Sequence, residues 1–249
     1  MDRITVNRPL ATLGFTLVEM AIVLVIIGFL LGGLLVSLSA QIDMRNYNET
    51  KQKIAVIKEA VVGFTLANGR LPCPADPTVA SGTAGAGTQK FDVAGTSCNS
   101  LEGVVPWVDL GVLETDAWGR RFTYRVTNSF SDAFALSTVS PPVSCVSVPS
   151  SSSFALCSEG DLTISDGAVS IAIRIPAVVV SHGKNGFGAY NSDGTKISDI
   201  SASSQEKENS DADADFVSMI ANPATYDDVV DWVSQNTLFN RMVMTGKLP

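Results

Sequence analysis

Between Phe15 and Leu38 the chain carries 24 residues, of which only Glu19 is charged. As a helix rising about 1.5 Å per residue, that run is roughly 36 Å long, enough to cross a bilayer. A segment apolar on every face has to be surrounded by lipid or by other apolar helices, which limits the folds open to this chain. A lone carboxylate inside it is costly and needs a partner. Cleavage after Gly14 would provide one. Phe15 would then carry a cationic amine four residues before Glu19, on the same helix face. An ordinary secretory signal, with an apolar core of about 7–15 residues, is shorter than this run. A plain signal anchor explains the hydrophobicity but not the Gly14-Phe15 junction. Length and uniform apolarity argue against a buried core helix.

The segment Gly14-Phe15-Thr16-Leu17-Val18-Glu19-Met20 resembles the cleavage and methylation motif of type IV prepilins and of the pseudopilins of type II secretion. The resemblance implies that a prepilin peptidase cuts between Gly14 and Phe15 and N-methylates Phe15, and that Glu19 is the carboxylate needed for assembly. It also implies other pilin or pseudopilin subunits, an assembly platform and its ATPase as partners. Arg3 and Arg8 outweigh Asp2 ahead of the run, and basic residues beside a spanning helix stay cytoplasmic. The expected location is the bacterial inner membrane, single-pass, with the head in the periplasm before entry into a pilus or pseudopilus.

Helical periodicity continues past Gln41. Ile54, Val56, Ile57, Ala60, Val61, Phe64 and Leu66 recur at helical intervals, with Lys51, Lys53, Lys58 and Glu59 on the remaining faces. No proline intervenes before Pro72, and Asn68-Gly69 supplies a stop. The boundaries that follow are a leader at 1–14, a membrane or filament-core half-helix at 15–40, an amphipathic half at 41–68 and a β-rich head at 69–249. The expected fold is α+β: one long N-terminal helix, membrane-spanning in its first half, packed on an antiparallel sheet, as in pilins.

In the head, 71–100 is rich in Pro, Gly, Ala and Thr and reads as a tethered surface loop. Strand signals lie at Arg121–Thr127, Phe134–Val139, Asp161–Ile164, Val169–Ile175 and Ala177–Ser181. Asp116-Ala117-Trp118-Gly119 precedes the first of them, with Asp116 placed to cap a turn. The segment from Asp116 to Tyr124 is also similar to the Asp-x-Trp-Gly stretch that enters the pseudopilin sheet. Asp228–Val233 reads as strand or helix, and Thr237–Thr245 as a short amphipathic helix.

Cys73, Cys98, Cys145 and Cys157 all follow the apolar run. In an oxidising compartment they should pair. Three connectivities are open, and Cys73–Cys98 with Cys145–Cys157 closes the shortest loops. A net charge of −8, with 17 basic residues and no basic block, argues against nucleic acid as a partner. Ser181-His182-Gly183 contains the one histidine, but adjacent serine and histidine do not make triad geometry, so no enzymatic activity and no cofactor are expected. Asp193, Glu208, Asp211 and Asp213 are weak calcium candidates within acidic, oxygen-rich loops; a solvated acidic loop is the plainer alternative. The expected function is a structural subunit, a minor pilin or pseudopilin. A signal-anchored periplasmic binding or adhesive module that never polymerises is the alternative.

Overall fold

The computed structural model describes residues 14–132, 152–222 and 225–248, apart from the side chains of 31–38. Helix α1 (Leu17–Asn68) is 52 residues long. The chain forms two compact units, one ending at Met44 and the other beginning at Arg45. Within the second unit follow β1 (Glu102–Val104), α2 (Trp107–Leu110), β2 (Thr123–Val126), α3 (Asn128–Ser131) and β3 (Leu162–Ser165). After them come β4 (Ser170–Ile175), β5 (Ala177–Ser181), α4 (Ser204–Glu208), β6 (Asp215–Val217), β7 (Val229–Val233) and α5 (Gln235–Met244).

Two expectations are corrected. The first is the membrane-spanning half-helix, and with it the single-pass inner-membrane location. Among the described residues no helix is long and apolar enough to cross a membrane. The described apolar part of α1 is Leu17–Leu30, fourteen residues or about 21 Å, against a hydrocarbon core of about 30 Å. Beyond Gln41, α1 carries Asp43, Arg45, Glu49, Lys51 and Lys53.

The second correction concerns the sheet. The head holds two sheets, not one antiparallel sheet. The larger has order β1-β2-β5-β7 and is antiparallel throughout. The smaller, β4-β3-β6, is mixed, because β3 pairs antiparallel with β4 and parallel with β6. Alternation in β2 and β5 explains how both faces of the larger sheet are used. Tyr124, Val126, Ala177 and Val179 face Ile54, Ile57, Val61 and Val62 of α1 in one apolar cluster. Val178 and Val180 point the other way, onto Leu162, Ile164, Ile175 and Phe216 of the smaller sheet. Every residue of β5 is therefore buried, and the second unit has three layers: helix, large sheet, small sheet. Pro176 separates β4 from β5. A residue with no N–H to give suits the point where the chain leaves one sheet for the other.

Phe134–Val139 and Cys145 lie outside the described residues. The tethered loop after α1 is held by the Cys73–Cys98 disulfide and by Tyr124, whose buried hydroxyl donates to the Pro72 carbonyl at 3.1 Å. Helix α5 closes one end of the core: Leu238 and Met242 are buried, and Phe239 stacks with Phe130 and Phe154.

Candidate functional site

The segment singled out by sequence begins at Gly14, which is exposed and where a Cβ would meet no described atom within 4 Å. Phe15 is 81% exposed. Thr16 and Glu19 form a reciprocal cap on α1. The Thr16 amide and hydroxyl both donate to Glu19 Oε2, at 2.7 and 3.0 Å. The Glu19 amide in turn donates to Thr16 Oγ1 at 3.3 Å. This is the Thr-x-x-Glu capping box, which satisfies donors that a helix start leaves without intrahelical partners. The pattern is legible in Thr16-Leu17-Val18-Glu19 and gives Glu19 a capping role besides the assembly role that the resemblance implies. The acid also sits in the first turn, where the helix dipole favours a negative charge.

Immediately after the cap, Leu17, Val18, Met20, Ile22, Val23, Leu24, Val25, Ile26, Ile27, Phe29 and Leu30 are all exposed. They occupy every face of the helix, not one stripe. Fully burying side chains of this kind contributes roughly 1.5–3 kcal/mol each. The described start of α1 is thus a rod with a strong drive to be surrounded.

Compared with family models, with curated proteins and with solved structures, the chain has no match.

In the head, the residues around His182 are drawn into separate structural bonds. Ser181 Oγ donates to Asp116 Oδ2 at 2.6 Å. Asp116 Oδ1 accepts from the Trp118 and Arg120 amides, capping the turn into the sheet. His182 is fully buried, with Nε2 2.8 Å from Thr123 Oγ1. Burial, aided by the charges of Lys196 and Arg120, holds its pKa down to about 3, so the ring is neutral. Serine and histidine therefore serve different partners, and the arrangement has no nucleophile–base pair.

The calcium candidates are only partly brought together. Glu208 and Asp213 come close, joined by Asp215, in a group that is half-buried at Glu208 and exposed at the two aspartates. Asp193 is not in that group; its Oδ1 accepts from the Thr195 amide and hydroxyl. Asp211 is also outside it, and its Oδ1 caps the Asp213 amide. A second acidic group joins residues far apart in sequence: Glu206, Asp227 and Asp228, with Glu206 and Asp228 buried. Burial lifts the Asp228 carboxyl well above the ordinary range, opposed by Asn209 and reinforced by Glu206 and Asp227. Only Ser203-x-x-Glu206, a capping box of α4, was visible as a pattern.

Of the cysteine pairs, Cys73–Cys98 is present. Cys157 is also disulfide-bonded, and its expected partner Cys145 lies outside the described residues.

Proposed function

We propose that the chain is a pilin-like structural subunit that joins a helical filament of like subunits through the start of α1. The observation that carries this reading is the unpartnered, all-round apolar surface from Phe15 to Leu30. One partner helix covers one stripe; a rod apolar on every face requires several neighbours. Copies of the same segment in a helical assembly provide them, and a head linked to each rod is carried along.

In this reading a prepilin peptidase cuts between Gly14 and Phe15 and methylates the new terminus. The resemblance of Gly14-Phe15-Thr16-Leu17-Val18-Glu19 to the prepilin motif supports that step, as does the exposure of Gly14 and Phe15. The new amine at Phe15 then competes with Thr16 for Glu19, within the subunit or from a docking neighbour. An assembly ATPase and platform supply the work. No catalytic role is assigned to the head, since Ser181 and His182 are committed to Asp116 and Thr123.

Mass spectrometry of the native protein, with electron microscopy of cells expressing it, tests this reading. The expected result is a chain beginning at methylated Phe15 and present in filaments. A chain that keeps Met1 and stays solitary would favour a non-polymerising binding module.

A further inference from the structure

On the face of the larger sheet turned away from α1, one arginine stands between an acid and a loop. Arg125 of β2 is directly opposite Glu102 of β1 in the strand register, and its side chain is 13% exposed. Its Nη1 donates to the Ala212 carbonyl at 2.8 Å. The same nitrogen lies 3.8 Å from Glu102 Oε2, beyond hydrogen-bond reach, and the buried Nε has no partner. An ionised carboxylate accepts from a guanidinium about twice as strongly as a neutral carbonyl does. Arg125 thus spends its bond on the weaker of two acceptors within reach.

The loop that it holds is short and strained. Asn209 fixes the start, bonding both the amide and the carbonyl of Val217 through its side chain. Lys196 Nζ donates to the Ser210 carbonyl at 3.0 Å. The end is fixed by the Ala214 carbonyl, which accepts from the Thr163 amide at 2.9 Å. Between these anchors the tip, 211–213, is exposed. Ala212 sits there at φ 67, a left-handed conformation that costs a residue with a Cβ. Such strain persists where neighbours hold it in place, and Arg125 holds Ala212 from the sheet.

We propose that Glu102 and Arg125 form a pH-sensitive latch on the loop tip. With Glu102 protonated, Arg125 stays on the Ala212 carbonyl and the tip is held. With Glu102 ionised, the carboxylate draws the guanidinium to itself, and the strained tip is released. The charged groups around Glu102 come from every neighbouring segment. Arg125 on β2 and Lys196 favour its ionised form, while Asp211 and Asp213 on the loop oppose it; the Tyr190 phenol also feels its charge. Ionisation therefore sets Glu102 against the two aspartates of the tip. Burial, reinforced by these aspartates, holds the closed-state pKa up at about 7. Opening lets water reach the acid and returns it toward the ordinary 4.5. A value higher in the closed state favours closure in acid, and that preference is lost as pH rises from 4.5 through about 7. Full solvation multiplies the open-to-closed ratio by at most about three hundred across this window. The latch lies wholly in the head and does not rest on assembly through the start of α1.

Nuclear magnetic resonance of the isotope-labelled full chain in detergent micelles, at pH 5 and pH 8, tests this. The Ala212 and Asp213 amides should show order parameters of about 0.85 at pH 5 and below about 0.6 at pH 8. The Arg125 Nε signal should move with the same midpoint, near 7. Glu102→Gln, which keeps the shape of the protonated acid, should leave the tip ordered at both pH values. Arg125→Lys, which loses the guanidinium fork, should loosen the tip already at pH 5. A wild-type tip that stays ordered at pH 8 would overturn the proposal. So would equal loosening in Glu102→Gln, or an ordered tip in Arg125→Lys at pH 5.

Discussion

At the scale of single residues, Glu19 has two separable jobs. As part of a capping box it needs only an acceptor for the Thr16 donors, which glutamine supplies as well as glutamate. As the partner of a cationic Phe15 it needs its charge. Glu19→Gln should therefore keep the helix start and lose incorporation into filaments, and Glu19→Val should lose both. Cleavage products on gels and filament yield by microscopy check this. Wild-type filament yield from Glu19→Gln would reduce the acid to a cap. Glu102 offers a second test. Burial lifts its pKa to about 7, against the pull of Arg125, whose Nη1 lies 3.8 Å from Oε2. Its folded-state value is thus above the unfolded one near 4.5. The folded state favours the protonated acid, so this group adds stability as pH falls from about 7 toward 4.5 and opposes folding at higher pH. Glu102→Gln should raise the melting temperature at pH 8 and leave it unchanged at pH 4. A lower melting temperature at both values would contradict that account.

At the scale of elements, the head depends on layers meeting on both sides of β5. Ile57 of α1 is 1% exposed within the larger cluster. Truncating it to alanine leaves a cavity between helix and sheet, and Ile57→Ala should cost about 2–5 kcal/mol in chemical denaturation. A loss below about 1 kcal/mol would mean that the helix is not fixed against the sheet. Replacing Cys73 and Cys98 together by serine opens a loop of 25 residues. The expected loss is about 3–4 kcal/mol from the greater freedom of the unfolded chain. These elements differ in how plainly the sequence announces them. Ala177–Ser181 has the same bounds in sequence and structure, because Pro176 and Gly183 fence a short β-branched run. Asp215–Val217 is a strand of three residues after an acidic stretch, and no period emerges from so few positions. The other two strands of the smaller sheet, β3 and β4, do carry strand signals, but nothing in them says that they pair apart from the larger sheet. A β5 that is apolar from Ala177 to Val180 is consistent with burial on both faces, but composition alone does not say what covers the second face. Thr16-x-x-Glu19 and Ser203-x-x-Glu206 were both readable as caps. The burial of Asp228 was not, since it arises only when α4, β6 and β7 come together.

At the scale of the whole molecule, the described start of α1 and the three-layered head differ in how their apolar side chains are covered. The head buries its apolar residues against itself; the described start of α1 has nothing of its own to cover Leu17–Leu30. The central claim is that copies of this chain cover one another there. Cross-linking in cells tests it most directly, with single cysteines introduced at Ile22 and Ile26 in a chain that retains its own disulfides. The account predicts ladders of dimers and higher multimers through these positions, lost in Glu19→Val. Cross-links absent from the cysteine-bearing chain with Glu19 intact, or unchanged by Glu19→Val, would contradict it.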